Sequence, residues 1–210
     1  KLHSESCDID SLCTELTLHF RNLMVAKTVS DCEGLIVCSA CVAGEIPRKI
    51  IQGKFDEAEE AILWYKRVFG DDFYLELQRH EVKNPSQRAN REAFSMQETA
   101  NIKLIEYSQK FGVKLVCTND VHFVEEENAE AHDRLICLST SKDLDDPKRM
   151  LYSKQEWFKT REEMNALFAD IPEALSNTCD ICDQVEFYSI DHAPIMPNFA
   201  IPEEFGTEEG

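Results

Sequence analysis

The feature that most constrains the fold is a regular alternation of short apolar runs with longer segments of helical periodicity. Strands are predicted over residues 35–38, 73–80 and 113–118. Helices are predicted between and after them, over about 54–69, 90–111 and 127–138. Strands and helices in strict succession favour an α/β architecture with parallel strands, because parallel neighbours need a long crossover connection.

Composition sets the class of molecule and limits its partners. The 210 residues suit one domain, or one domain with an appended subdomain, and 43% are hydrophobic. The formal net charge of −18 should repel a phosphate backbone over most of the surface, so duplex DNA is not expected to be gripped here. No apolar run reaches the ~20 residues that span a bilayer, and no signal-peptide pattern is seen, so we expect no membrane partner and a cytoplasmic location.

The nine cysteines favour free thiols in a reducing compartment, since an odd number cannot form a fully paired disulfide framework. The pairs Cys38/Cys41 and Cys179/Cys182 have Cys-x-x-Cys spacing, which invites a four-cysteine zinc site. We reject that site because the first pair begins inside a predicted strand and the second lies within a predicted helix.

Four regions follow from the texture of the sequence: 1–33 without clear periodicity, 34–147 as the α/β portion, 148–190 as a short-helix subdomain, and 191–210 as a linker rich in Pro and Glu. Within the third region, 153–156 and 160–163 both have the spacing of a helix-capping box. Asp170, two residues before Pro172, is predicted to cap the next helix.

Candidate ligands for a divalent metal ion stand just beyond the predicted strands, at the end where α/β folds place their sites. Asp120 and His122 are two apart on extended chain, so they project to the same side and offer an oxygen and a nitrogen. The alternative is a loop cap with a surface histidine. His80 ends a strand with a polar face, which suits a barrel lumen or the solvent face of an edge strand. Cys41 is a soft ligand or a buried inert thiol.

The other histidines have weaker support in the sequence. His132 is interpreted as a helix residue that packs or hydrogen-bonds nearby. No glycine-rich phosphate loop and no nucleophile-elbow motif occurs.

Four stretches together resemble the polymerase-and-histidinol-phosphatase (PHP) domain of the bacterial DNA polymerase III alpha subunit. They are Gly34-Leu35-Ile36-Val37-Cys38-Ser39-Ala40-Cys41 with Gly44-Glu45-Ile46-Pro47; Phe73-Tyr74-Leu75-Glu76-Leu77-Gln78-Arg79-His80; Thr118-Asn119-Asp120-Val121-His122-Phe123; and Leu144-Asp145-Asp146-Pro147 followed by Leu167-Phe168-Ala169-Asp170-Ile171-Pro172-Glu173-Ala174-Leu175. Their order and spacing match from Gly34 onward.

The resemblance implies part of a distorted (β/α)7 PHP-type barrel with parallel strands, followed by a small helical segment that leads toward a polymerase core. It also implies that Cys41, His80, Asp120 and His122 occupy metal-ligand positions for Zn, Mn or Fe, and that the parent polymerase uses Mg. The implied partners are the remainder of the alpha subunit and other replicase subunits, with DNA reached through the parent.

The departures from the family pattern limit what this chain can do. The opening histidine-x-histidine motif and the later histidine and glutamate of the metal cluster are absent, so the site is incomplete. No residue here is expected to catalyse polymerisation. We therefore predict a structural platform for a DNA-directed DNA polymerase, carrying part of a metal-dependent phosphoesterase or 3′–5′ exonuclease site. The rivals are a free-standing phosphatase resembling histidinol phosphatase and a non-catalytic interaction domain.

Overall fold

The computed structural model describes residues 34–82, 88–187, 189, 191 and 193. Its strands are β1 (Val37–Cys38), β2 (Phe73–Leu77) and β3 (Lys114–Cys117). Its α-helices are α1 (Glu45–Ile51), α2 (Phe55–Phe69), α3 (Ser95–Phe111), α4 (Ala129–Thr140), α5 (Arg161–Leu167) and α6 (Pro172–Gln184). The predicted regions 1–33 and, apart from Asp191 and Ala193, 191–210 lie outside the described residues.

The strands form one parallel sheet in the order β1-β2-β3. Val37 is in register with Phe73, and Tyr74 with Lys114. This confirms the predicted α/β architecture with parallel strands. The sheet has 3 strands in the described part of the chain, so closure into a seven-stranded barrel stays a prediction.

Strand β2 is the centre of the sheet, and the alternative that placed it at an edge is wrong. Phe73, Tyr74 and Leu75 are all at most 1% exposed, although the sequence suggested that Tyr74 shared a polar face. A central parallel strand is covered on both faces, which is why its side chains are buried on both sides.

Helices α2 and α3 build the core against one face of this sheet. Ala58 and Ile62 on α2, and Leu104 and Tyr107 on α3, belong to one buried cluster with the strand residues. Each truncation of such a Leu or Ile to Ala should cost ~2–5 kcal/mol of stability. The sequence predicted both helices, but α3 begins at Ser95 because residues Asn90–Phe94 form a π-helical turn.

Helix α6 covers the outer edge of β3 with side chains rather than with another strand. Asn177 Nδ2 donates to the Leu115 carbonyl at 2.8 Å, and the Cys117 amide donates to Thr178 Oγ1 at 3.4 Å. Strand backbone groups left without a partner at an edge are costly when buried, so these contacts satisfy groups that a further strand would otherwise pair.

An ion pair at the surface ties the end of β2 to the start of α6. The Arg79 guanidinium binds Asp170 through two contacts of 2.5 and 2.8 Å and lies over the Phe168 ring. Asp170 was predicted to cap α6. That prediction is wrong, since the N-cap is Ile171 and no side-chain cap bond forms there. No helix in the described residues is long and apolar enough to cross a bilayer.

Candidate functional site

The residues predicted to bind a metal follow the carboxyl ends of adjacent parallel strands. Cys41 comes after β1, His80 after β2, and Asp120 and His122 after β3. Because the strands are parallel and neighbours, these residues share one edge of the sheet. The strand order thus gives the predicted set a common location, while the side-chain geometry differs sharply from one member to the next.

The turn that carries Cys41 is tight. Ala40 has φ 64°, a left-handed conformation that costs a non-glycine residue ~1–2 kcal/mol, and its amide donates to the Glu76 carboxylate at 3.1 Å. A Cβ on Gly44 would lie 2.3 Å from the Ser39 carbonyl oxygen, so only glycine fits there. The turn holds Cys41 half-buried beside β2.

The Glu76 carboxylate organises the polar groups between the strands. It accepts from Thr118 Oγ1 at 2.5 Å and from Gln78 Nε2 at 3.0 Å. These bonds fix the Gln78 amide with its nitrogen toward Glu76, and its oxygen has no partner among the described residues. Gln78 and Cys41 both line one small cavity.

His80 is buried, with 3% of its surface exposed, and both ring nitrogens are engaged. Its backbone amide donates to Gln97 Oε1 at 2.8 Å, which orients the Gln97 amide so that Nε2 donates to His80 Nδ1 at 2.8 Å. Nδ1 is therefore an acceptor, and the proton sits on Nε2, which donates to the Asn119 carbonyl at 3.0 Å. His80 is held as a neutral imidazole that joins β2, α3 and the loop after β3.

The electrostatics around His80 agree with the neutral form. Burial lowers the pKa of His80 from its ordinary value, and Glu156 opposes that shift. The Glu156 Oε1 atom lies 3.5 Å from His80 Nδ1 and also accepts from Ser153 Oγ at 2.6 Å. Its second oxygen is buried without a hydrogen-bond partner among the described residues.

Asp120 and His122 form a more open pair. Their side chains approach to 3.6 Å between Oδ1 and Nε2, with 40% and 33% of the side-chain surface exposed. Asp120 has φ 44°, a conformation that aspartate tolerates better than most residues. The two side chains do lie together, although Asp120 is not extended as the sequence analysis assumed, and their role as metal ligands stays a prediction.

The loop that carries this pair is fastened by the segment 153–158. Asn119 Nδ2 donates to the carbonyls of Gln155 and Trp157, at 2.9 and 2.7 Å. The His122 amide donates to the Glu156 carbonyl at 2.8 Å. The loop that carries Asp120 and His122 is thus positioned by backbone carbonyls of the segment 153–158, which is distant in sequence.

This segment also corrects a prediction of local structure. Only half of the first capping box forms: the Ser153 amide donates to the Glu156 carboxylate, but the Ser153 hydroxyl accepts from the Gln155 amide instead of the Glu156 amide. No helix follows, because residues 155–157 are bonded to the loop after β3. The second box, from Thr160 to Glu163, does open a helix, α5.

Aromatic rings border the Asp120–His122 pair on one side. The His122 ring centroid lies 4.6 Å from that of Tyr152 and 5.6 Å from that of His132, and Tyr152 and His132 are 4.9 Å apart. Phe123 packs 5.1 Å from His132. Burial raises the pKa of Tyr152 and lowers that of His132. Tyr152 and Glu156 were missed by the sequence reasoning, and His132 was predicted only to pack nearby.

The donor set suits part of a metal site. A thiol, a carboxylate and an imidazole are proper ligands for Zn, Mn or Fe, but a stable site needs three or four converging donors. Among the described residues, no group of three His, Cys, Asp or Glu side chains is arranged to hold a metal ion. His80 would have to release a hydrogen bond before it could bind. Asp120 and His122 are the two ligands that lie together.

Comparison with known proteins identifies the fold family of the site. Residues 17–80 match the PHP domain. The chain is 42% identical over 177 residues to "DNA polymerase III subunit alpha" of Borreliella burgdorferi, covering 83% of this chain and 14% of that protein. The same-named proteins of Caulobacter vibrioides and Campylobacter jejuni are 38% and 36% identical, over 83% and 84% of this chain and 14% and 15% of theirs.

The chain spans about 14% of the length of the Borreliella burgdorferi relative, so the similarity concerns one part of a much longer protein. The matched PHP range ends at His80 and includes β1 and β2, while the longer alignments cover most of the chain. The chain belongs to the PHP-domain family and is homologous to the corresponding part of bacterial DNA polymerase III alpha subunits.

Proposed function

We propose that this chain is a structural platform within a DNA-directed DNA polymerase that extends a primer with deoxynucleotides. The support is its identity to proteins named DNA polymerase III subunit alpha over most of its length. Nucleotide addition, with its Mg ions, is assigned to other parts of such a protein and to no residue here. The remainder of the alpha subunit and other replicase subunits are the partners, in the cytoplasm.

The charge of the chain supports a platform rather than a DNA grip. With 40 acidic and 22 basic residues, the surface field opposes a phosphate backbone. DNA would be held by the parent protein, and any phosphate that reaches this chain would need a local cation to offset the field.

We further propose that Cys41, His80, Asp120 and His122 border a metal site for Zn, Mn or Fe with phosphoesterase or 3′–5′ exonuclease chemistry. The observation that carries this is the 3.6 Å approach of Asp120 and His122 at the edge that Cys41 and His80 also reach. A bound metal ion would lower the pKa of a water molecule and polarise a phosphoryl oxygen. Within the chain, Asp120 and His122 would anchor the ion, and the segment 153–158 would keep their loop in place.

With this partial donor set, hydrolysis by the chain alone is expected to be weak or absent. A purely structural domain with an eroded site is the second candidate. It is favoured by the engagement of both His80 ring nitrogens with protein groups. The two candidates differ in whether a transition metal binds at all.

Metal binding separates them. Calorimetric titration of the metal-free 210-residue chain with Mn²⁺ should show a site that Asp120→Asn and His122→Ala each weaken by ~10-fold or more. Asp143→Asn is the matched control, since it removes the same charge from an exposed residue on another loop. No bound metal, and no change of melting temperature with chelator, would favour the structural domain.

Activity is the second arm. A 3′-labelled single-stranded oligonucleotide incubated with Mn²⁺ should be shortened slowly or not at all by the wild-type chain. Rapid 3′ trimming that His122→Ala abolishes would show that the site is complete, against the proposal.

A further inference from the structure

We propose that the outward face of helix α4 is a packing surface for another domain of the same polymerase polypeptide. This surface, the α4 patch, consists of Ala131, Leu135 and Leu138 on the helix and of Leu144 and Met150 on the loop that follows it. The inference rests on the proposed role as a platform within a longer polymerase, and it names the surface through which the platform holds its neighbour.

Helix α4 has apolar residues on two opposite faces. Its inner face is buried and consists of Ala129, Asp133 and Cys137. Ala131, Leu135 and Leu138 are spaced i, i+4 and i+7, so they form one stripe, and at 3.6 residues per turn this stripe lies opposite the inner face. Leu135 is 62% exposed and Leu138 is 77% exposed. A surface helix that covers only one core carries polar residues on its outer side, so the second apolar stripe indicates a second packing partner.

The loop after α4 extends this surface and is fastened to the helix. Arg149 donates to both carboxylate oxygens of Asp133, at 2.6 and 3.0 Å, and both side chains are largely buried. Arg149 Nε also donates to the Leu144 carbonyl at 2.9 Å. Leu144 and Met150 are each more than half exposed. The ion pair therefore fixes the loop backbone that carries these two apolar side chains.

The size of the patch favours an occupant on the same polypeptide. The four large apolar side chains of the patch fall well short of the ~20–30 residues a side that a stable complex of separate chains uses. A tethered partner needs less contact, because the tether raises its effective concentration. This chain matches only 14% of the Borreliella burgdorferi relative, so most of such a protein could supply that partner.

Charge makes a second copy of the chain the less suitable occupant. Each copy carries a net charge of −18, so two copies repel each other as they approach. The partner that fits is a domain with an apolar surface edged by Lys or Arg, which covers the leucines and complements the acidic surroundings.

The alternative is that the leucines are ordinary exposed residues, as many on protein surfaces are. The double variant Leu135→Gln, Leu138→Gln separates the two cases, because it keeps a good helix former at both positions while removing the apolar stripe. The matched control is Leu63→Gln with Ile102→Gln, at residues of α2 and α3 that are 51% and 65% exposed.

The experiment measures hydrogen–deuterium exchange of the α4 amides in the 210-residue chain and in the full-length polymerase. We expect exchange to be at least ~10-fold slower in the full-length protein, because a packed domain suppresses local opening of the helix. The double variant should return α4 exchange in the full-length protein to the rate in the 210-residue chain, and the control should leave it unchanged. In the 210-residue chain, the double variant should change the melting temperature by no more than ~2 °C.

Three results would overturn the inference. The first is equal α4 exchange in the two proteins. The second is slow exchange in the full-length protein that the double variant does not accelerate, since another surface would then protect the helix. The third is slow exchange in the 210-residue chain that the double variant accelerates. The patch would then be covered within that chain or by a second copy, which light scattering distinguishes.

Failure of the proposed function has a different readout. The same full-length preparation is assayed for primer extension, and its absence would overturn the polymerase assignment, while α4 exchange decides the packing surface in either case. If the double variant of the full-length protein does not fold, the single variant Leu138→Gln takes its place under the same criteria.

Discussion

The two strand-end histidines, His80 and His122, carry the same signal in the sequence and have opposite environments in the structure. His80 is 3% exposed, and its two ring nitrogens form hydrogen bonds with Gln97 and Asn119. His122 keeps a third of its side chain exposed and meets Asp120 at 3.6 Å. Burial with satisfied partners makes a histidine a structural link, whereas an open ring beside a carboxylate can still take a ligand.

The largest expected difference between the two is in stability. His80→Ala leaves Gln97 Nε2 and the Asn119 carbonyl buried without the partners they have now, so the free energy of unfolding should fall by ~3 kcal/mol. His122→Ala removes an exposed ring and should change it by ~1 kcal/mol or less. Urea denaturation of both variants checks this, and equal losses would remove the distinction.

Gln97 should have the next largest effect, because it sets the tautomer of His80. Gln97→Met keeps the volume but removes both hydrogen bonds, which should cost ~1–2 kcal/mol. Long-range ¹H–¹⁵N NMR should show the neutral His80 ring with its proton on Nε2 in the wild type. In the variant it should show a mixture of the Nε2–H and Nδ1–H tautomers. Asn101→Leu, at another buried amide of α3, is the control and should leave the tautomer unchanged.

The dependence of stability on pH is a smaller test of the same contrast. The pKa of His80 is lowered in the folded chain, so below about pH 6.5 the unfolded chain takes up a proton that the folded one does not. The stabilisation is present above the unfolded pKa and is lost as pH falls toward the folded pKa. In chelator-treated buffer, unfolding free energy should drop more between pH 7 and 5 for wild type than for His80→Gln. Parallel curves would contradict a buried neutral His80.

The smallest expected effect lies at Asp120. Asp120→Gly relieves the positive φ of 44° and should raise the free energy of unfolding of the metal-free chain by ~0.5 kcal/mol. The same change should weaken Mn²⁺ binding, since a ligand is lost. Ala40→Gly, at φ 64°, is the control that should gain stability without a lost carboxylate. A loss of stability at Asp120 would show that its side chain is structural.

Much of the scaffold could be predicted because its signals are local. The apolar spacing of α2 and the glycine that ends it are contiguous in sequence, and the structure places that helix at Phe55–Phe69. The two-residue spacing also suggested that Asp120 and His122 lie close together, although the left-handed φ of Asp120 means that extended chain is not what brings them together. Family membership was likewise readable from short stretches at fixed spacing.

The rest depends on contacts between distant segments, which spacing does not reveal. Ser153 and Glu156 form one of the two bonds of a capping box, but no helix follows, because nearby backbone carbonyls accept from Asn119 and His122. Asp170 stands at the sequence position expected of a helix cap, but its carboxylate accepts hydrogen bonds from Arg79 instead. Tyr152 and His132 meet only because two remote elements close over the loop after β3.

Helix α6 covers one edge of the sheet, at β3, with side-chain hydrogen bonds. Asn177 bonds the Leu115 carbonyl and Thr178 bonds the Cys117 amide on the outer side of β3, so a further strand could not pair there without displacing these side chains. Within the described residues, β1 is the other end strand of the sheet, so pairing with a further strand is expected beside β1 rather than beside β3. Helix α6 therefore protects the edge strand β3 from edge-to-edge aggregation.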